Sequence, residues 1–269
     1  MIANDSFKDQ SVLISGGTSG INLGIAKVLA SMGANVAVFG RDPEKAKNAA
    51  EEIEAVGGGK ALGLAADVRV PDAVQEVVDD AVRAFGPLDV VIAGAAGNFP
   101  APAVDISPKG FKTVVDIDLL GCYNVFRLGF DARNTDTSSF IAITAPQAVN
   151  ATLFQAHVCA AKAGINMLVK CLALEWGQAG VRVNAISPGP IADTEGMRRL
   201  APTEEATQRA MRANPLKRFG QAEEIGRMAA FLSSPAASYV NGTILNCDGG
   251  TELGDASPDT MTSWRSVAE

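Results

Sequence analysis

A chain of 269 residues, 47% hydrophobic and carrying 27 glycines, has enough apolar material for a sizeable core in one large α/β domain and too much for low-complexity disorder. A formal charge of −7 excludes the basic stripe of a nucleic-acid-binding surface, although a local basic pocket can still hold phosphate. Four scattered cysteines without a CxxC pair, and one histidine, argue against a zinc centre or a disulfide framework, so no metal is expected and a reducing, cytoplasmic setting is.

The opening "MIANDSFKDQSVLISGG" lacks the long apolar run of a secretory leader and passes directly into a strand. No segment has the uninterrupted apolar length of a membrane span, and the closing "SVAE" is not an SKL-type peroxisomal address. Short β-branched runs then alternate with longer helical patterns, the arrangement of βαβ units on a parallel sheet. Strands are read at 11–15, 35–40 and 61–67, followed respectively by a helix at 22–33, a charged amphipathic helix from Asp42 and a helix at 71–86. A strand at 88–95 leads into one long helix at 111–130, and a strand at 139–145 into the helix that holds Lys162 and runs to about Trp176. The sixth strand is read at 181–189 and a last edge strand at 242–250. Between them, residues 190–222 form a loop-and-helix insertion over the carboxyl ends of the strands, where open α/β sheets bind ligands. One domain over 1–250 and a loosely held tail at 251–269 complete the expected organisation.

The stretch "SGGTSGINLG" follows the first strand and opens the first helix, so Gly16, Thr18, Ser19, Gly20, Ile21 and Asn22 are candidate phosphate-binding residues. Glycines let the backbone turn close to a pyrophosphate, and the N–H groups and dipole of the helix start favour its charge. The spacing Gly16-x-x-x-Gly20 is not the GxGxxG of long-chain dehydrogenases.

It is similar to the TGxxxGxG loop of the short-chain dehydrogenase/reductase family, with Ser15 in place of Thr and Asn22 in place of the last Gly. The resemblance spans essentially the whole chain and implies a single-domain, doubly wound parallel sheet of the Rossmann kind. Asp67 ends the third strand, followed by Val68, where that family contacts adenine; "AGAAG" at 93–97, with Ala93, Gly94 and Ala95, stands in place of NNAG; "SPGPI" at 187–191, with Pro188, Gly189 and Ile191, matches the PG turn. Thr194 lies where the loop after that turn reaches the cofactor amide or phosphates. The second strand ends "VFGRD", with Gly40 and Arg41 at the corner where NAD-preferring sites carry a carboxylate. A guanidinium suits a 2′-phosphate, so NADPH is the expected cofactor.

In that family a Tyr and a Lys four residues apart work with a Ser and an Asn, the Tyr protonating an alkoxide. Aligned on Lys162, Val158 takes the Tyr position, Ala145 the Ser position and Asp118 the Asn position; Thr144 should point to the other side of its strand. Neither Tyr123 nor Tyr239 maps to the active-site helix. The segments "AAGNFPAPA" (95–103), "FKTVVDIDLLG" (111–121), "HVCAAKAG" (157–164) and "PGPIADTEGMRRL" (188–200) resemble 2,4-dienoyl-CoA reductases, particularly the peroxisomal type and its bacterial relatives.

That resemblance implies hydride transfer from NADPH to the δ carbon of a conjugated dienoyl thioester, then protonation on carbon to give a 3-enoyl-CoA in unsaturated fatty acid breakdown. Charge develops on a thioester oxygen, so donors to an enolate matter more than an acid for an alkoxide. Lys162 would hold the nicotinamide ribose, and Asp118 would support the water that supplies the proton. Asn98 and Phe99 either border the acyl pocket or pack as ordinary loop residues. Arg198 and Arg199 reach either a CoA phosphate or solvent, and His157 either lines the wall or transfers a proton. The resemblance also implies a homotetramer, built through the helices after strands four and five. A reductase of another enoyl or carbonyl substrate and a catalytically silent NADPH-binding protein are the alternatives.

Overall fold

Alternating apolar runs separated by amphipathic helices can bury both faces of a sheet only if the helices return each strand parallel to the last. A computed structural model of the chain describes residues 5–257 and has this arrangement. The strands are β1 (Ser11–Ser15), β2 (Asn35–Gly40), β3 (Ala61–Ala65), β4 (Val90–Ala93), β5 (Ser138–Ile143), β6 (Val181–Pro188) and β7 (Ile244–Cys247). They form one seven-stranded sheet in the order β3-β2-β1-β4-β5-β6-β7, with every pairing parallel. The order reverses between β1 and β4, which opens a crevice beyond their carboxyl ends.

The helices are α1 (Gly20–Ser31), α2 (Pro43–Glu54), α3 (Pro71–Phe85), α4 (Pro108–Val115), α5 (Gly121–Asp131), α6 (Ala156–Trp176), α7 (Glu195–Leu200), α8 (Glu204–Ala213) and α9 (Ala222–Ser233). One apolar layer, containing Leu13, Phe39, Val91, Phe126, Phe140 and Ile165, fills the face under α3, α5 and α6. The other, with Ile14, Ile25, Leu29, Ile92, Ile186 and Ile225, lies under α1 and α9. Phe140 is wedged edge-on between Phe126 and Trp176, at ring separations of 5.4 and 5.8 Å. Truncating such a buried ring to alanine costs about 3–5 kcal/mol.

Strands expected to run to 67, 95 and 145 leave the ladder at Ala65, Ala93 and Ile143. Their last residues turn outward, and those turns wall the crevice. The helix expected as one piece over 111–130 is α4 and α5 joined by a π-helical turn, Asp116–Leu120. A π turn carries one extra residue, which rotates the side chains that follow it and is a recurrent feature of functional sites. It brings Asp118 inward, to 1% exposure.

Contrary to expectation, one run among the described residues, Ala156–Ala179, is long and apolar enough to cross a membrane by length and composition. It contains α6, which packs Val158, Ala161, Ile165, Val169 and Leu172 into the protein and carries Lys162 on the same buried side. A helix of a folded domain that buries one apolar face passes the same compositional test.

Candidate active site

The crevice is a cavity of about 830 Å³ built from the turns after β1, β2, β3, β4, β5 and β6. Of the residues singled out in the sequence, Gly16, Thr18, Ser19, Ile21, Asn22, Arg41, Asp67, Val68, Gly94 and Ala95 line its nucleotide end. Asn98, Asp118, Lys162, Pro188, Gly189, Ile191 and Thr194 line the rest. Gly20 sits at the start of α1 and Ala93 is buried at the end of β4, both one residue from the lining. Phe99, Arg198 and Arg199 are exposed outside it.

At the phosphate end, Gly16 has φ +67, and a Cβ there would lie 2.8 Å from the Ala95 Cα, so a side chain is excluded twice over. Ser19 N-caps α1 without a side-chain hydrogen bond, and the first turn carries no acidic residue. The leading N–H groups of the helix therefore keep their capacity for an anion. Arg41 is exposed at the rim, beside the lining residue Lys45. Asp67 is gripped by a residue the sequence reading passed over: the Arg69 Nε donates to Asp67 Oδ1 at 3.0 Å and Oδ2 at 3.1 Å. The Arg69 guanidinium holds the Asp67 carboxyl below the usual carboxylate range, against a smaller opposing effect of burial. An acid and a base two residues apart after a strand were the available signal.

The reactive end is organised around two buried charges. Lys162 is 6% exposed; its Nζ donates to the Ile143 carbonyl at 3.1 Å and lies 3.2 Å from Asp118 Oδ2. The Gly97 N–H donates to Asp118 Oδ1 at 2.7 Å. Oδ2, in contrast, receives no hydrogen bond of good geometry among the described residues; its contact with Lys162 is one of charge. A buried carboxylate oxygen with spare acceptor capacity, beside an ammonium group and facing a cavity, suits a water molecule or a reacting group.

Val158 and Ala145 line this end, where they offer no hydroxyl. Tyr123 and Tyr239 are 43% and 102% exposed and lie outside the cavity. Thr144 is among the residues bordering the cavity, and its Oγ1 is buried without a hydrogen-bond partner among the described residues.

His157 does not reach the lining; it is fully buried, with its ring 4.3 Å from that of Phe99 and 6.4 Å from that of Phe111. It is part of an aromatic wall behind Asn98, whose Nδ2 donates to Gln155 Oε1 at 3.3 Å. Thr194 caps α7 by accepting from the Met197 N–H and donates to the Ile191 carbonyl at 2.9 Å, so its hydroxyl is already engaged. Arg198 and Arg199 both bind Glu195, at 3.2 and 3.0 Å, and Arg199 also donates to the Asn98 carbonyl at 3.2 Å. That last bond ties the covering insertion to the turn after β4.

Residues 16–252 match the family model described as enoyl-(acyl carrier protein) reductase. The chain is 40% identical over 248 residues to the peroxisomal 2,4-dienoyl-CoA reductase [(3E)-enoyl-CoA-producing] of Rattus norvegicus, covering 92% of this chain and 85% of that protein. It is also 40% identical over 249 residues to the probable 2,4-dienoyl-CoA reductase [(2E)-enoyl-CoA-producing] of Bacillus subtilis, covering 91% and 97%. Among solved structures, a short chain dehydrogenase from Bacillus anthracis superposes with a TM-score of 0.84 at 37% identity, covering 92% of this chain and 98% of that one.

Proposed function

The chain belongs to the short-chain dehydrogenase/reductase family, and from that premise we propose that it is an NADPH-dependent oxidoreductase that converts a 2,4-dienoyl-CoA to a 3-enoyl-CoA. The observation that carries this reading is the buried Asp118–Lys162 pair facing a cavity in which Val158 and Ala145 replace the hydroxyl-bearing residues of carbonyl reduction. The two dienoyl-CoA reductases of similar sequence support the substrate class.

The cavity suits a dinucleotide: the uncapped start of α1 can take the pyrophosphate, and Arg41 with Lys45 supplies the positive corner a 2′-phosphate needs. When bound, the reduced nicotinamide supplies a hydride to the δ carbon of the thioester. Lys162, fixed by the Ile143 carbonyl, places a positive charge on the floor of the site and can hold a ribose hydroxyl there. Asp118, fixed through Oδ1 by the Gly97 N–H, keeps Oδ2 for a water molecule that delivers the proton to carbon. No tyrosine is at hand to protonate an alkoxide, which disfavours ordinary ketone reduction.

We read the protein as a cytoplasmic homotetramer. Support comes from Tyr123 on α5 and Met167 and Leu174 on α6, which are 43%, 60% and 85% exposed and give these helices apolar outer faces. Purified protein mixed with NADPH and 2,4-dienoyl-CoAs of graded length should consume the reduced cofactor, with a 3-enoyl product by mass and NMR analysis. Absence of consumption at every chain length would overturn the reading, and light scattering on the same sample checks the subunit number.

A further inference from the structure

The phosphate loop and the turn after β4 meet at one side chain. Asn22, on the first turn of α1 and 8% exposed, donates through Nδ2 to the Gly94 carbonyl at 2.8 Å and to the Gly16 carbonyl at 3.3 Å. From the opposite side, Ser15 Oγ accepts from the Gly94 and Ala95 N–H groups at 3.1 and 3.3 Å. The turn is thereby pinned through both its N–H and C=O groups, and three residues further on the Gly97 N–H holds Asp118.

Asn22 also occupies space that residue 94 would otherwise claim. A Cβ on Gly94 would lie 2.5 Å from Asn22 Cγ and overlap both of its terminal atoms. Gly94 does not have a positive φ, so its lack of a side chain answers to this packing and not to backbone conformation. In this conformation the two claim the same volume, so a side chain at 94 would require the Asn22 amide to swing away and give up its bonds to the Gly94 and Gly16 carbonyls.

We propose that Asn22 is a positioning residue whose side-chain amide takes the volume of a residue-94 side chain and ties the phosphate loop to the turn that holds Asp118, so that one side chain aligns the cofactor seat with the reactive carboxylate. The functional half of this inference rests on the nucleotide-binding reading above; the packing half does not. Gly94→Ala alone therefore overfills the junction and lowers the unfolding temperature, and Asn22→Gly relieves it, so that Asn22→Gly/Gly94→Ala is no less stable than Asn22→Gly. Asn22→Asp keeps the shape of the side chain but removes the donor to both carbonyls and sets a carboxylate against them.

The test is a thermal double-mutant cycle on ligand-free protein, joined to NADPH fluorescence titration and to turnover at saturating cofactor well below the unfolding temperature. Asn22→Gly and Asn22→Asp are expected to weaken NADPH binding by about tenfold, and to lower kcat at saturation as well. A residue that served stability alone would leave both at wild-type values under those conditions, and that result would overturn the positioning role. Independent, additive effects of the 22 and 94 substitutions on unfolding would overturn the exclusion. Should Gly94→Ala fail to fold, recovery of folded protein in the double variant supports the exclusion and failure to recover it overturns it. A wild-type protein that does not bind NADPH instead refutes the nucleotide reading, and with it the positioning role, while the thermal cycle still decides the packing.

Discussion

Asp118 Oδ2 and Lys162 Nζ stand 3.2 Å apart with both side chains at least nine-tenths buried, one from a π-helical turn and the other from the second turn of α6. Each neutralises the charge the other would otherwise leave in a low-dielectric setting, so the pair is a single electrostatic unit. Asp118→Asn keeps an oxygen for the Gly97 N–H but removes the charge, and Asp118→Ala removes both. Turnover of dienoyl-CoA is expected to fall by about 100-fold or more in each, the range for loss of a proton-handling group, with NADPH binding nearly unchanged. Both variants leave an unpaired buried ammonium, which costs about 3–5 kcal/mol and should show as a lower unfolding temperature. Undiminished turnover would remove Asp118 from the reaction.

Arg41 governs the choice of cofactor if the 2′-phosphate lies where β2 ends. Arg41→Ala is expected to weaken NADPH binding by about 10- to 100-fold, as removal of a charge-assisted contact does, and to leave NADH binding within about threefold. Raising the salt concentration should erode the wild-type preference more than that of the variant, because the contact lies at the surface. Fluorescence titration of both nucleotides at two ionic strengths measures this; equal losses for the two would move the phosphate elsewhere.

The four thiols should differ in reactivity by environment. Cys122, behind Asp118 and Lys162, is buried, and that burial pushes its thiol up to about 12, beyond the small opposing pull of the Lys162 charge. At pH 8 almost none of it is thiolate, and burial shields it from a reagent. Cys171, on the outer face of α6 between Met167 and Leu174, should react first in the separated subunit and be shielded in the proposed tetramer, Cys159 and Cys247 should react slowly, and Cys122 only after denaturant is added. Mass spectrometry of partly alkylated protein identifies the order, and early labelling of Cys122 would contradict this packing.

Much of this molecule was legible before its coordinates. The strands announce themselves because a parallel sheet buried on both faces demands continuous β-branched runs such as "SVLIS" and "NVAVF", and the phosphate loop because it must lie between a strand and a helix. Lys162, Asp118 and Val158 were readable through the resemblance to the short-chain family, by alignment on Lys162. What sequence spacing does not carry is contact across the fold. Asn22 looked like a departure from glycine, and only its bond to Gly94, 72 residues away, gives it a purpose. The π turn at Asp116–Leu120 leaves an apolar periodicity nearly indistinguishable from that of a straight helix. The Arg69 grip on Asp67 is local yet was missed, because charged pairs after strands are commonplace and most are solvated.

His157 offers a test of the aromatic wall that does not involve catalysis. It is fully buried against Phe99, and neither ring nitrogen has a hydrogen-bond partner of good geometry among the described residues. Burial lowers its pKa below the ordinary imidazole value of 6.5, outweighing the Phe99 backbone and the Asp118 charge, which act in the opposite direction. The neutral ring is thus the folded form, and below pH 6.5 the unfolded chain binds a proton that the folded protein still refuses. From this group, stability is fully present above the unfolded pKa and is lost as the pH falls, with a slope of at most about 1.4 kcal/mol per pH unit until the folded pKa is reached. His157→Phe, a ring without a titrating group, should flatten that part of the stability curve between pH 7.5 and 5.5, while His157→Ala should lower the whole curve by opening a cavity beside Phe99. Urea unfolding at intervals across that range separates the two effects. An unchanged acid slope in His157→Phe would mean that His157 protonates in place, and that the wall is open enough to hydrate it.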